Sequence, residues 1–355
     1  MDGGATEYAR LFIAHEDDIV VNKIWARNGS VAVVQRNLSG TVVSNEFPLF
    51  EAEREALLPA WVHWITKTKP FWEQCDDKAR GTSGKNRIRP ERFLEVEIPL
   101  PPLAEQQRIV ARLEALAAQI AEARNLRKQA TEGAEAVVLS QARVVLGNAS
   151  AVSTTLAGYL ASDRDGVQTG PFGAQLGAAD FTADGVPILT IGNIQFGGLD
   201  IRTLKHVSRD KADNLQRYRI RAGDLLFARM GTVGRCCLVP EESAGWLINY
   251  HIIRVAVNTE RLLPRFVHWS IRASADIAEY LGQTTRGATR QGVNTRIVTA
   301  LPLRVPPLPE QRRIVEYLDG LQAKVDEVKA LQAQTAAELD ALLPSILQRA
   351  FSGGL

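Results

Sequence analysis

Cysteine is scarce in this chain: three occur in 355 residues, Cys75, Cys236 and Cys237. The last two are adjacent, too close for an ordinary bridge, so no disulfide framework supports the fold. No apolar run approaches the roughly 18 residues a bilayer span needs, so a helical membrane protein is excluded. Met1-Asp2-Gly3-Gly4 opens neither a basic nor an apolar leader, so no signal peptide is visible. Glycine (27) and proline (16) are near average, which leaves no low-complexity class open. The expected location is therefore cytoplasmic.

Catalytic signatures are missing as well. The five histidines (His15, His63, His206, His251, His268) are scattered, and none has metal-ligand spacing to a cysteine or a second histidine. His63 and His268 each sit in Val-His-Trp on a helix face, where a structural role is expected. Gly81-Thr82-Ser83-Gly84-Lys85 only partly matches a phosphate loop: Ala79 stands at the outer glycine and Asn86 follows the lysine. GxSxG, GxGxxG and HExxH do not occur. The double prolines lack the flanking residues of an amino-methyltransferase motif. These absences favour a binding protein without a cofactor.

What is present is ordinary globular composition, 45% hydrophobic and 23% charged, in a length that suits two or more units. The net charge of +2 is nearly balanced but unevenly spread. Residues 151–305 carry 18 Lys+Arg against 13 Asp+Glu, while residues 1–102 carry 13 against 15. Such asymmetry suits a nucleic-acid-facing domain joined to neutral spacers, although many cytosolic domains reach it without one.

The strongest signal is a repeat with a period of 205 residues. Pro101-Pro102-Leu103-Ala104-Glu105-Gln106-Gln107-Arg108-Ile109-Val110 returns as Pro306-Pro307-Leu308-Pro309-Glu310-Gln311-Arg312-Arg313-Ile314-Val315. Leu57–Ile65 returns as Leu262–Ile271, and Asp17-Asp18-Ile19-Val20 matches Gly223-Asp224-Leu225-Leu226. A period this long means duplicated domains. The second copy begins near Ala151, and the first is shorter at its front.

Each proline pair precedes a long helical pattern. Leu113, Leu116, Ile120, Ala123, Arg127, Ala130, Ala134, Val137, Gln141 and Val144 step by three and four. Leu318, Leu321, Val325, Val328, Gln332, Thr335, Leu339, Leu342, Ile346 and Arg349 follow the same steps. This is a coiled-coil seam, and a 40-residue helix is about 60 Å long. The expectation is two antiparallel helices over 103–146 and 308–343, with Pro344 ending or kinking the second. A pseudo-two-fold would bring Arg127 and Gln332 face to face, guanidinium to side-chain carbonyl. The alternative is that both tip outward.

Between turns, short strands are expected at 19–24, 31–35, 40–44, 187–191, 224–230 and 252–257, with helices near 57–68 and 264–281. The fold class is α+β. Two mixed, β-rich domains (1–100 and 151–305) are joined to long helices (101–150 and 306–355).

Loops suited to DNA complete the reading. Lys78, Arg80, Lys85, Arg87, Arg89 and Arg92 crowd together with Thr82, Ser83 and Asn86 between them. Arg286, Thr289, Arg290, Gln291, Asn294 and Arg296 are the counterpart in the second copy. Arginine and lysine neutralise phosphates or fork onto guanine, and Asn or Gln reads adenine. A glycine-rich loop, Gln168-Thr169-Gly170-Pro171-Phe172-Gly173-Ala174-Gln175, and Arg229-Met230-Gly231-Thr232-Val233-Gly234-Arg235 share that character. A basic loop is more often a solvated turn; its recurrence in two copies is what favours DNA.

These residues carry a resemblance. Thr169–Leu176, Gly192-Asn193-Ile194, Gly223–Arg229 and the twice-occurring PPLxEQxRIV element resemble the specificity subunit of type I restriction-modification systems. The likeness spans essentially the whole chain. It implies two target-recognition domains, each reading half of a bipartite site in double-stranded DNA, with the long helices as a ruler. It also implies methyltransferase (modification) and motor-nuclease (restriction) subunits as partners that carry the chemistry, the chain itself being non-enzymatic. The competing reading is a coiled-coil scaffold of a related defence system that has lost specific DNA contact.

Overall fold

The structure is a computed structural model that describes residues 11–79, 87–285 and 292–352. The chain divides into two compact units, residues 1–130 with 329–355, and residues 131–328. The boundaries fall inside the helical stretches, so each unit holds part of both. Each unit keeps half of each stretch because the apolar stripes bury against the unit's own globule.

The first helical stretch is one helix, Leu103–Asn148. The second is Leu308–Gln334 followed by Ala336–Phe351, broken at Thr335. Within the first unit the partners run in opposite order along the chain: Leu113 lies with Leu347 and Ala350, Arg124 pairs with Asp340 at 2.8 Å, and Arg127 reaches Gln332 and Thr335. Within the second, Glu135 meets Gln322 and Gln141 meets Tyr317. In both units the pairing is antiparallel.

The stripe departs from the strict seam in both copies. Leu113, Ile120, Leu318 and Val325 are buried and Leu116 and Leu321 half-buried, but Val137, Val144 and Leu342 are exposed. Val138, Ala142 and Leu347, each one residue past a seam position (Val137, Gln141 and Ile346), are buried instead, packed on the globules. A straight helix at 3.6 residues per turn drifts off a 3.5-residue seam, and here the globule is on the side it drifts toward.

Pro344 does not end the helix; it lies inside Ala336–Phe351. Beyond it, Leu347 and Ala350 are buried with Trp61, Trp64, Ile109 and Val110, and Phe351 meets the Trp61 ring edge-on at 4.7 Å. Burying one leucine contributes about 2 kcal/mol, enough with its neighbours to offset the amide that proline lacks.

The break falls at Thr335 instead. Arg127 Nη2 donates to the main-chain carbonyl of Gln332 and to Thr335 Oγ1 at 2.7 Å. A cation on a carbonyl at a helix C-terminus is a cap. Arg127→Leu is therefore expected to lower the thermal midpoint of the first unit, by about 1–2 kcal/mol of stability. Calorimetry on the variant reads it, and an unchanged or higher midpoint would refute the cap.

Each Pro-Pro element docks through its glutamine. Gln106 is fully buried: its Oε1 accepts from the Leu58 N–H at 3.0 Å, and its Nε2 donates to the Ala56 and Pro101 carbonyls, both at 2.8 Å. Gln311, also fully buried, repeats this with Leu263 (2.9 Å), Arg261 (3.1 Å) and Pro306 (2.8 Å). Every partner is shifted by the same 205 residues. The repeated glutamine is a clamp between long helix and globule.

The second unit has two four-stranded sheets. One orders Cys236–Leu238, Leu225–Ala228, Ile252–Val255 and Val167–Thr169, all antiparallel. The other orders Leu247–Ile248, Val186–Leu189, Lys205–Val207 and Phe181–Thr182, with Leu247–Ile248 parallel to its neighbour. The first sheet is buried on both faces. One face meets helix Pro264–Ala273 and the long-helix stripe; the other meets Ile188, Leu189, Ile194, Val207 and Leu215.

The first unit repeats the sheet core in Val31–Val33, Ile19–Val21 and Leu49–Phe50. The register is shared, Ile19↔Val33 answering Leu225↔Leu238. So is the entry turn: Asp17 has φ +75°, and its counterpart Gly223 has φ +80°. Only one face is covered among the described residues. Phe12 (46% exposed), Val42 (54%) and Phe47 (36%) stand where Tyr218 (6%), Leu247 (0%) and Ile252 (0%) stand in the second unit. The residues that cover this face in the second unit lie in 176–215.

His268 is a buried residue of helix Pro264–Ala273, consistent with the structural role expected of it. Burial first, then the Arg272 and Arg265 charges, push its imidazole down to about 4. The folded value lies below the unfolded 6.5, so this contribution is full above pH 6.5 and is lost as pH falls toward 4. The second unit should weaken by a few kcal/mol across that window. His268→Leu should flatten the acid limb of its midpoint-against-pH curve; an unchanged slope would assign the loss elsewhere.

Candidate nucleic-acid interface

The site grows from the end of strand Leu225–Ala228. Arg229, the next residue, donates its main-chain N–H to the His251 carbonyl at 2.9 Å and accepts from the Val293 N–H at 2.8 Å. Met230 forms a bridge with Gly292. Gly170 N–H bonds the Ile252 carbonyl at 3.2 Å. Backbone bonds thus bring together the glycine-rich loop 169–175, the 229–235 loop, the turn at Asn249–His251 and the start of the segment after 291.

Gly170 makes the approach possible. A Cβ there would lie 2.1 Å from the Asn249 carbonyl oxygen, so only glycine lets the two backbones touch. Below the loops a buried charge network holds the strand leading into 169–175. Asp224 pairs with Arg164 and accepts from the Arg221 N–H at 2.8 Å. Arg254 donates to the Arg219 carbonyl at 2.9 Å and the Asp165 carbonyl at 2.8 Å.

The arginines differ in their partners. Arg164, Arg217, Arg219 and Arg221 each pair with an aspartate. Arg229 and Arg235 pair with no carboxylate among the described residues, and the Nε of each is buried without a hydrogen bond. Arg229 also donates Nη1 to the Tyr250 carbonyl at 2.9 Å and lies 5.3 Å from the Phe172 ring centroid. Two half-exposed cations without a carboxylate partner among the described residues leave local positive potential at these loops.

The other sequence candidates fare differently. Gly170 is buried within the contact, while Phe172 and Thr232 are exposed and Thr169 half-buried. Gln175 accepts from the Tyr218 hydroxyl at 2.7 Å, which occupies its carbonyl oxygen. Asn294 caps helix Thr295–Thr299, its side-chain carbonyl accepting from the Ile297 N–H at 2.9 Å. In the first unit Lys78 pairs with Glu95 and Arg87 with Glu46, both at 3.4 Å. Arg80, Thr82, Ser83, Lys85 and Asn86, and Arg286, Thr289, Arg290 and Gln291, lie outside the described residues.

Sequence reasoning missed Tyr250, His251 and Lys23. Tyr250 and His251 belong to no repeated motif and join the site only through the sheet. Burial, and after it the Arg229 charge, lower the His251 pKa below the ordinary imidazole value. Lys23 could have been found by the repeat, since it matches Arg229, and its carbonyl accepts from the Ile88 N–H as that of Arg229 accepts from Val293. Among the described residues no cluster of His, Cys, Asp or Glu could hold a metal, and no helix is long and apolar enough to cross a membrane.

Comparison with known proteins places this geometry. The type I restriction modification DNA specificity domain matches residues 1–132 and 177–336. The EcoKI specificity subunit of the type I restriction enzyme of Escherichia coli (strain K12) is 26% identical over 323 residues. That match covers 84% of this chain and 66% of the relative, just under two thirds. The EcoBI specificity subunit of Escherichia coli is 26% identical over 180 residues, covering 50% of this chain and 37% of its own. Among solved structures, one described as the structural basis of complex assembly and conformational transition of the type I R-M system aligns with a TM-score of 0.74. It is 23% identical and covers 99% of this chain and 85% of that one. The HsdS subunit from Thermoanaerobacter tengcongensis aligns with a TM-score of 0.54 at 24% identity, covering 97% and 82%. With the duplicated sheet core, the paired long helices and a family match over most of its length, the chain belongs to the type I restriction-modification DNA specificity domain family.

Proposed function

We propose that the chain is the DNA-recognition subunit of a type I restriction-modification complex, reading duplex DNA through the loops around Arg229. The observation that carries this reading is the convergence of loops 169–175 and 229–235 on two arginines without carboxylate partners among the described residues. Unpaired guanidiniums on a rigid backbone suit phosphate or guanine, and the desolvation of their inner nitrogens is already complete in the free protein. The chain performs no chemistry itself. Methyltransferase and motor-nuclease subunits act at the site it selects, and the antiparallel helices set the spacing between half-sites. The work is cytoplasmic, where such partners meet DNA.

Duplex binding against salt tests it. Each phosphate neutralised adds about 0.9 to the slope of log affinity on log salt. Arg229→Ala with Arg235→Ala should reduce that slope by about 1–2 and weaken binding at low salt. A wild-type chain that binds without salt dependence or sequence preference would favour the coiled-coil scaffold instead.

A further inference from the structure

The basic loops explain attraction to phosphate but leave two exposed aromatic rings unexplained. Phe172 is 53% exposed and Tyr250 40%; Phe196 (44%) and Tyr317 (45%) are exposed elsewhere in the unit, but only Phe172 and Tyr250 stand at the basic loops. Their ring centroids are 5.9 Å apart, and Tyr250 lies against the His251 ring at 3.8 Å. The Arg229 guanidinium is 5.3 Å from Phe172 and bonds the Tyr250 carbonyl. One cation therefore ties both ring-bearing loops together.

The backbone beneath is fixed. Asn249 donates to the Leu189 carbonyl at 3.0 Å, its own carbonyl accepts from Ile252 at 3.0 Å, and its side chain accepts from the His251 N–H at 3.1 Å. Gly170 packs directly on this turn. Rings with two rotatable bonds on such a frame lose little entropy when they stack. Exposed apolar surface pinned beside unpaired arginines is the arrangement of a base-stacking platform.

Resting on the DNA-recognition reading above, we propose that Phe172 and Tyr250 form a wedge that stacks on nucleobases at one opened base step, with Arg229 and Arg235 holding the flanking phosphates. Apolar side chains entering a base step unstack it and bend the duplex, so this is readout by deformability and not only by groove edges. The partner chemistry is the π-face of a base in a duplex.

The experiment uses the full-length chain. It first selects duplexes from a random-sequence pool, and 2-aminopurine then replaces each purine of the selected duplex in turn. The wild type should raise 2-aminopurine fluorescence several-fold at one step. Phe172→Ala with Tyr250→Ala should abolish the rise and weaken binding about 10-fold or more, with the salt slope unchanged. Tyr250→Phe, which keeps the ring, should retain the rise. Both side chains are exposed, so matching melting curves confirm that the variants fold. No rise at any position, or a rise that survives the double alanine variant, overturns the wedge while DNA recognition stands. A pool that yields no enriched duplex overturns the recognition reading and the wedge with it.

Discussion

Replacing Gln311 by leucine is expected to lower the stability of the second unit by about 3 kcal/mol, one of the two largest single-residue effects expected here. Leucine fills the space but leaves the Leu263 N–H and the Arg261 and Pro306 carbonyls without their partner, in a site with no solvent exposure. Each orphaned group costs about 1–3 kcal/mol, less whatever local shifts recover. For a unit of this size the midpoint should fall by about 6–12 °C. Gln106→Leu should do the same to the first unit, so scanning calorimetry should show each variant moving a different transition. A shift below about 2 °C in both would mean that the glutamines pack without clamping.

Gly170→Ala is expected to weaken DNA binding roughly 10- to 100-fold, the range of one or two good base contacts. Its Cβ would meet the Asn249 carbonyl oxygen at 2.1 Å, the Asn249 carbonyl carbon at 2.3 Å and the Ile248 oxygen at 2.7 Å. All three are backbone atoms in a hydrogen-bonded turn, so the loop must move and carry Phe172 away from Arg229. Overpacking of this kind also costs about 1–3 kcal/mol of stability. Gly173→Ala is the control: its φ of +57° is mildly strained for alanine, but nothing lies within 4 Å of the added carbon. That variant should lose about 1 kcal/mol and keep most of its binding. Equal binding losses in both variants would show that loop flexibility, not the close approach, matters.

The repeat made much of this architecture legible without coordinates. A 205-residue period carries register with it, so the paired sheet cores, the twin glutamines and the meeting of Arg127 with Gln332 follow from equivalence between copies. Periodic apolar residues also located the strands near 19, 31, 225 and 252 and the long helices. Local pattern succeeds there because burial on one face imposes a period that a sequence must display.

What the sequence left open concerns surfaces that meet from distant positions. The stripe leaves Val137 for Val138, and Leu342 for Leu343, because a globule lies beside each helix, and no seam count contains that globule. Pro344 stays helical because Leu347 and Ala350 find a tryptophan-lined core beyond it. Ile19-Val20-Val21 and Leu225-Leu226-Phe227 read alike, yet one strand is covered on both faces and the other, among the described residues, on one. Which arginines are neutralised was equally hidden: Arg221 has Asp163 and Arg229 has no carboxylate among the described residues, a difference set by where folding carries each carboxylate. The sequence alone determined the duplicated plan, the helices and the basic loops, because each is written in local period or repetition. The tertiary structure alone decided which charges stay unpaired and how Tyr250 reaches Phe172, because desolvation and contact depend on neighbours that are close only in space.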